Sequence, residues 1–330
     1  MASDDGDVGV KRVLITGMGG ELGTRAAQLL EARREVGEIA GFDIDPPRRR
    51  LRRSQFARID PRDRERVVEF VTDFAPTAIA HFGVDEPHSR LGGHEAAEAT
   101  EACTVHALGA AARAGELTRV ALRSGLVVYG RGPGRPLVPD EDAQLAPTNH
   151  YGRMCLDVEA IAVGIGRRHA VRVAALRYAP IVGSHIPSPL GRVLRLPAVP
   201  VPLLEDPPFC LVHQEDAARA MVEALVRGHD GPLNVVAPGA TSPWQAVRLG
   251  GRVPVPVFGL GWRLAARVAE LAGAPMPEHT IELLRLGRAG DGDAARRALG
   301  LMTMRPALEI CAELYDWATV TPLRASAAVA

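Results

Sequence analysis

An α/β fold, a doubly wound parallel sheet with a smaller C-terminal substrate lobe, is what this 330-residue sequence predicts. Three observations carry that expectation. Short apolar runs alternate with helical stretches through the first half of the chain; a glycine-rich turn follows the first apolar run; and prolines crowd in after Tyr178. The alternation argues for strands buried under helices on both faces, and right-handed crossovers make such a sheet doubly wound.

Val13-Leu14-Ile15 is the first strand, and Thr16-Gly17-Met18-Gly19-Gly20-Glu21-Leu22-Gly23 turns it into a helix. Gly17 suits the turn itself, Gly20 lets a pyrophosphate approach the backbone, and Gly23 lets the helix pack closely on the sheet. The helix N-terminus offers free N–H groups and a positive dipole end. A second strand over 36–42 ends in Asp43, twenty residues beyond Gly23, where a carboxylate can accept both ribose hydroxyls of an adenosine. Turn, helix and acid together predict a Rossmann-like dinucleotide site. Asp43 repels a 2′-phosphate and favours NAD over NADP, although Arg48-Arg49-Arg50 and Arg52-Arg53 lie close by. That arginine run otherwise reads as a solvated loop and helix face.

Residues 56–60 and a helix over 62–74 follow, then a buried strand over 78–82 and an alanine-rich helix over 93–114. Val120 to Leu122 and Val127 to Tyr129 flank a small-residue break at Ser124-Gly125; a helix over 151–168 and a strand over 171–176 come next. From 180 to 208 prolines exclude long regular elements. A helix over 216–227 and a strand over 233–236 precede Val253-Pro254-Val255-Pro256-Val257, which prolines restrict to an edge or extended segment. Helices over 262–272, 278–286 and 305–317 complete the chain. The expected organisation is a leader over 1–10, a dinucleotide-binding domain over 11–179 to which 209–236 returns, and a lobe over 180–208 and 237–330. The cleft between lobe and sheet is the default small-molecule site.

The charge is balanced, 39 basic against 39 acidic residues, and 47% of residues are hydrophobic, as in a soluble globular protein. Balance of charge and few aromatics leave no footprint for nucleic acid. No apolar run approaches the length of a membrane span, and residues 1–10 carry three aspartates and no secretory core. Cys103, Cys155, Cys210 and Cys311 are widely spaced, which suits reduced thiols in a cytoplasmic protein, and no His or Cys spacing suggests a metal.

Several motifs in order make the chain resemble the extended short-chain dehydrogenase/reductase family, in the branch of nucleotide-sugar epimerases and dehydratases. They are the Gly17/Gly20/Gly23 turn, Asp43, Asp60, His81-Phe82-Gly83, Val128-Tyr129-Gly130, Pro139-Asp140-Glu141-Asp142, Pro147-Thr148-Asn149-His150-Tyr151-Gly152 and His213-Gln214-Glu215-Asp216. The resemblance covers most of the chain. It implies that Asp60 contacts the adenine, and that His81, Phe82, Gly83, Tyr151, Tyr178, Ala179 and Pro180 also lie against the cofactor. It further implies hydride transfer with a tyrosine at Tyr151, a lysine four residues later, and a Ser or Thr near the strand end. It also implies a homodimer through the helices over 93–114 and 151–168.

The chain departs from that pattern at the chemistry. Cys155 stands at the lysine place and Gly125 at the Ser/Thr place, with Ser124 its neighbour. A tyrosine with an ordinary pKa of about 10 is a poor base at neutral pH, and a thiol cannot supply the missing charge. Cys155 itself reads as a buried, inert thiol. Pro180 follows Leu176-Arg177-Tyr178-Ala179 where the family often has an Asn, and Phe209 stands at the place of a diphosphate-gripping Arg. Arg192 and Arg195 are the candidates to replace it. An atypical branch of the family shares the missing lysine and the Val-Pro-Val-Pro type of segment. The run Phe258-Gly259-Leu260-Gly261-Trp262 into Arg263-Leu264-Ala265-Ala266 suits either packing on the lobe or a membrane surface that presents a lipid-linked substrate. The expectation is therefore an NAD-binding, epimerase/dehydratase-like protein acting on a sugar or sugar-nucleotide through a non-standard site. The alternative is a catalytically inactive NAD-binding structural or sensor protein.

Overall fold

A computed structural model describes residues 10–132 and 134–316. The expected leader lies outside these residues except for Val10, which opens the first strand. In chain order the strands are β1 (Val10–Thr16), β2 (Val36–Asp43), β3 (Gln55–Arg58), β4 (Ala78–His81), β5 (Arg119–Gly125), β6 (Arg172–Tyr178), β7 (Ile181–Val182), β8 (Ala198–Pro202), β9 (Val212–His213), β10 (Gly231–Val235) and β11 (Val253–Val257). The helices are α1 (Glu21–Glu31), α2 (Arg64–Phe74), α3 (Gly93–Cys103), α4 (Gly109–Ala114), α5 (His150–His169), α6 (Pro189–Leu194), α7 (Gln214–Arg227), α8 (Pro243–Leu249), α9 (Gly261–Leu271), α10 (Glu278–Leu286), α11 (Asp293–Leu299) and α12 (Ala307–Asp316).

Seven parallel strands form the main sheet in the order β10-β6-β5-β4-β1-β2-β3. Burial on both faces explains why β1 and β4 read as continuous apolar runs: Val13, Leu14, Ile15, Ala78, Ile79 and Ala80 are fully buried. Helix starts follow local chemistry. Asp63 caps α2 by accepting from Arg66 N, Asn149 caps α5 by accepting from Gly152 N, and Ser188 and Ser242 cap α6 and α8, each with proline in the first turn. The expected helix over 93–114 is α3 and α4 joined by a π turn, Thr104–Leu108.

Three sequence expectations are corrected. Ser124 and Gly125 are not a break but the end of β5, held in register opposite Arg177 and Tyr178 of β6; the turn comes after them, at Leu126–Tyr129. Ladder pairing on a buried strand overrides the weak strand propensity of small residues. Residues 289–304, expected in the lobe, pack instead on the sheet domain: Ala289, Ala295, Leu299, Leu301 and Met304 belong to its core, where α11 packs on β10 and α7. The arginine run is not merely solvated: Arg53 donates to the carbonyls of Leu30, Arg33 and Val36, and Glu31 accepts from the N–H groups of Arg52 and Arg53, which clamps α1 to the start of β2.

A second core, including Leu190, Val199, Phe209, Trp262, Leu284 and Ile310, organises the lobe. There β11 pairs in parallel with β8, a two-stranded ribbon of Val-Pro repeats in which Pro254 faces Val199 and Pro200 faces Val255. Prolines tolerate this because each of the two strands is an edge. On α9 only Trp262 and Ala269 are buried, while Leu264, Val268 and Leu271 are exposed, so the lobe covers one face of that helix and not the other.

Candidate cofactor cleft and active site

The strand order reverses at β1, which lies between β4 and β2. Clefts in such sheets open beyond the C-terminal strand ends at that point, and a cleft lies there, floored by the turn after β1 and by Phe82 and Gly83 after β4. Gly17 has φ +68°, the left-handed conformation expected of the turn. Gly23 is required differently from expectation: a Cβ on it meets Gly17 O at 2.2 Å, so it seats α1 on the turn itself rather than on the sheet. Gly20 is the opposite case, since the nearest atoms to a Cβ there are Gly17 O at 3.4 Å and an Arg90 nitrogen at 3.5 Å. Gly20, Glu21, Leu22 and Gly23 line the cleft, and no side chain caps the start of α1. An uncapped helix N-terminus facing open space beside a Cβ-free residue fits a pyrophosphate. Met18 and Gly19 form the underside of the turn, Met18 fully buried against Gly41 and Gly19 pressed onto Asp45 O.

Asp43, at the end of β2, also lines the cleft and is 8% exposed. Its Oδ2 accepts from Gly20 N at 3.1 Å and its Oδ1 from Ile44 N at 2.7 Å. Arg90, from the loop after β4, reaches across the cleft to both oxygens at 3.4 and 3.3 Å, and to Asp45 at 2.6 Å. Arg49 pairs with the buried Glu21 at 2.6 Å. Asp60 is held by Arg62 through Nε and a terminal nitrogen, which lowers its pKa; its neighbour Pro61, not Asp60, lines the cleft. His81 is a buried cross-link: its ring nitrogens meet Thr16 Oγ1 at 2.8 Å and Thr104 Oγ1 of the π turn at 3.0 Å. Burial pushes its pKa down to about 4. Of that motif, Phe82 and Gly83 reach the cleft and His81 stands behind them.

A second chamber adjoins the first, sharing Glu86, Arg123 and Ile181 with it. Tyr151, Tyr178, Ala179 and Pro180 line it, as does Ser124. Tyr151 and Cys155 stand one helical turn apart on α5. Burial, with Cys155 adding to it, raises the Tyr151 pKa well above its ordinary value, and the Arg123 guanidinium opposes that rise. Burial likewise pushes the Cys155 thiol up to about 12. Ser124 Oγ donates to Glu159 Oε1 at 2.5 Å, and Glu159 is paired with Arg177, whose guanidinium also donates to Tyr129 Oη at 2.9 Å. The serine hydroxyl thus belongs to a buried network in the wall. Tyr178 Oη donates to Ala217 O.

Four charged or titratable groups of this chamber were not anticipated. Arg123, at the end of β5, donates to Val84 O and lies 3.9 Å from Glu86. Glu86 meets His279 Nε2 at 3.1 Å, and the His279 ring lies 4.7 Å from that of Tyr151. Arg288 is buried, pairs with Glu282 at 2.6 Å and has an Nε without a hydrogen-bond partner. The expected substrate arginines lie elsewhere. Arg192 donates to the carbonyls of His88 and Ser89 on the loop that carries Arg90, Arg195 is an exposed residue at the end of α6, and neither lines the chamber. Among the described residues no cluster suits a metal ion, and no helix is long and apolar enough to cross a membrane.

The chain matches the model of the NAD dependent epimerase/dehydratase family over residues 13–236. It is 29% identical over 322 residues to an uncharacterized protein of Mycobacterium tuberculosis, covering 95% of this chain and 85% of that one. Its fold is similar to that of a UDP-glucose-4-epimerase of Stenotrophomonas maltophila, solved with bound NAD and formylated UDP-arabinopyranose, with a TM-score of 0.69 and 20% identity over 93% of this chain and 97% of the other. A dTDP-glucose 4,6-dehydratase of Bacillus anthracis, in complex with NAD, superposes with a TM-score of 0.68 at 15% identity over 93% and 96%. With the family model matching more than half of the chain, this chain belongs to the NAD dependent epimerase/dehydratase family.

Proposed function

We propose that the first cleft binds NAD and that the second chamber holds a sugar-containing substrate, a sugar-nucleotide first among candidates, for hydride transfer. The observation that carries this reading is the adjacency of the two spaces: the cleft lined by the glycine turn and Asp43 shares Glu86, Arg123 and Ile181 with the chamber that Tyr151 lines. The dinucleotide supplies the hydride acceptor or donor; the chain's residues bind, orient and handle the proton. With its pKa raised, Tyr151 is a proton donor at neutral pH rather than a base. Arg123 supplies the positive charge that Cys155 cannot, from β5 instead of from α5. His279, paired with Glu86 and packed on Tyr151, is the imidazole that stands beside the tyrosine. Arg123 and Arg288, rather than Arg192 and Arg195, are the cations available to an anionic substrate. A cytoplasmic homodimer through α3 and α5 belongs to the same proposal, and sedimentation equilibrium tests the dimer.

The test is calorimetric titration of NAD, followed by mixing the NAD complex with UDP-glucose, UDP-galactose and dTDP-glucose while following absorbance at 340 nm and product sugars. NAD binding with turnover that Tyr151→Phe abolishes supports the reading. NAD binding without turnover turns it into the second reading, a non-catalytic NAD-binding protein, which the commitment of Ser124 to Glu159 favours. Absence of NAD binding removes both.

A further inference from the structure

Six large apolar side chains of the lobe face outward: Leu204, Phe258, Leu260, Leu264, Val268 and Leu271 are each between 59% and 90% exposed. They adjoin one another. Leu264, Val268 and Leu271 follow at spacings of four and three, one stripe along α9 opposite the buried Trp262 and Ala269, and Leu260 extends the stripe by a turn. Phe258 stands on the turn that opens the helix, where Gly261 N donates to Phe258 O at 2.9 Å. Leu204 is brought beside it because Leu203 N donates to Val257 O at 3.2 Å. Single exposed leucines need no account, but a contiguous apolar patch marks a surface that meets something.

The charges around the stripe decide what fits it. Residues 241–290 carry six arginines and three glutamates, in a chain whose overall charge is balanced. At about 100° per residue, Arg267 and then Arg263 border the stripe, and Glu270 lies beyond them. Both arginines are exposed, and neither has an ion pair among the described residues. At the far end of the patch Asp206 is engaged by Ser242 Oγ and Trp244 N, which leaves Glu205 as the acid beside Leu204. We propose that this face of the lobe docks on the surface of a bilayer that contains anionic lipid. Phe258, Leu260 and the stripe enter the acyl boundary, while Arg263 and Arg267 lie along it and lift their guanidinium groups to the phosphates. A second copy of the chain would bring two more arginines against these two, whereas a lipid surface brings their counter-charge. With 11 residues α9 is too short to cross a bilayer, so it lies in the plane of the interface. The proposal does not depend on what occupies the cofactor cleft.

The experiment is co-sedimentation of the full chain with vesicles of pure phosphatidylcholine and with vesicles of equal parts phosphatidylcholine and phosphatidylglycerol. The wild type is compared with the triple variant Leu264→Gln, Val268→Gln, Leu271→Gln and with the double variant Arg263→Gln, Arg267→Gln. All of these side chains are exposed, and thermal melts establish that the variants fold. The wild type is expected to bind the mixed vesicles at least about fivefold more tightly than the neutral ones, since one arginine near an anionic surface is worth about that factor. The triple variant is expected to lose binding at least tenfold to the mixed vesicles, and the double variant to lose the preference between the two. A wild type that stays in the supernatant with both vesicles, or a triple variant that binds as the wild type does, overturns the proposal. Equal binding of the wild type to the two vesicles overturns it as well, because the arginines then play no part. So does a wild-type oligomer that the triple variant dissociates in sedimentation equilibrium, which gives the face to a second copy of the chain.

Discussion

Gly20→Ala places a methyl group where the protein itself leaves room. The new Cβ is 3.4 Å from Gly17 O and 3.5 Å from Arg90, and the backbone at φ −69°, ψ 163° is open to alanine. Alanine narrows the unfolded ensemble, a gain of about 0.4–1 kcal/mol. It is a poorer N-cap than glycine, a loss of similar size. The folded protein should therefore keep its stability to within about 1 kcal/mol. The methyl group, however, stands in the cleft over the first N–H groups of α1 and holds a phosphate off them. Losing one charge-assisted hydrogen bond costs roughly 1.5–3 kcal/mol, which corresponds to about a 10- to 150-fold weaker Kd for NAD. Gly23→Ala is the contrasting variant. Its Cβ falls 2.2 Å from Gly17 O and 2.8 Å from Met18 Cα, both backbone atoms, so α1 must shift and stability falls by roughly 1–3 kcal/mol. Urea denaturation and calorimetric titration on the two variants separate packing from binding. Unchanged NAD affinity in Gly20→Ala at wild-type stability would refute the assignment of this turn to the pyrophosphate.

Glu159→Ala leaves the guanidinium of Arg177, 5% exposed, without its partner, and should destabilise the fold by about 3–5 kcal/mol in urea; a loss under about 1 kcal/mol means that the network in the chamber wall is not coupled to folding. His81 gives a pH dependence of definite sign. Its folded pKa of about 4 lies below the unfolded value of about 6.5, so the folded state binds fewer protons; stability is full above pH 6.5 and falls by up to about 3 kcal/mol as pH drops toward 4. In His81→Asn that part of the slope should vanish, and an unaltered slope would show that the ring is not held neutral. The four cysteines are buried, with burial raising the pKa of each, so an aromatic disulfide reagent at pH 8 should label none of them rapidly until urea is added; rapid labelling of the folded protein contradicts the thiol environments described.

What was legible in the sequence was local. The Gly17 turn, Asp43 twenty residues beyond Gly23, and the alternation of apolar runs with helices are each decided by neighbours along the chain, and the sheet places them as expected. The chamber was legible at Ser124 and at Tyr151, Tyr178, Ala179 and Pro180, which lie in or beside motifs. Its other charged groups carry none: Glu86 and His279 meet across 193 residues, and Arg90 meets Asp43 across 47. No period or spacing announces contacts of that length, which follow from the packing of the lobe against the sheet. The two arginines expected at the substrate, Arg192 and Arg195, were chosen for charge within a proline-rich stretch, and charge alone says nothing of direction. Arg123 was overlooked because Ser124-Gly125 reads as a break; once those residues are the end of β5, the arginine before them arrives at the same strand end.

The contact of Arg192 with the carbonyls of His88 and Ser89 has a thermodynamic consequence. It fastens α6, an element of the lobe, to the loop whose next residue is Arg90. Any ligand that draws the lobe inward pulls on this loop, and any nucleotide that displaces Arg90 pushes back on the lobe. Where binding in one compartment shifts this fastening, it changes affinity in the other, and linkage requires the change to be equal in both directions. Measured in either order of addition, the two ligands close a single thermodynamic cycle, and cutting the fastening with Arg192→Ala should bring its coupling free energy toward zero.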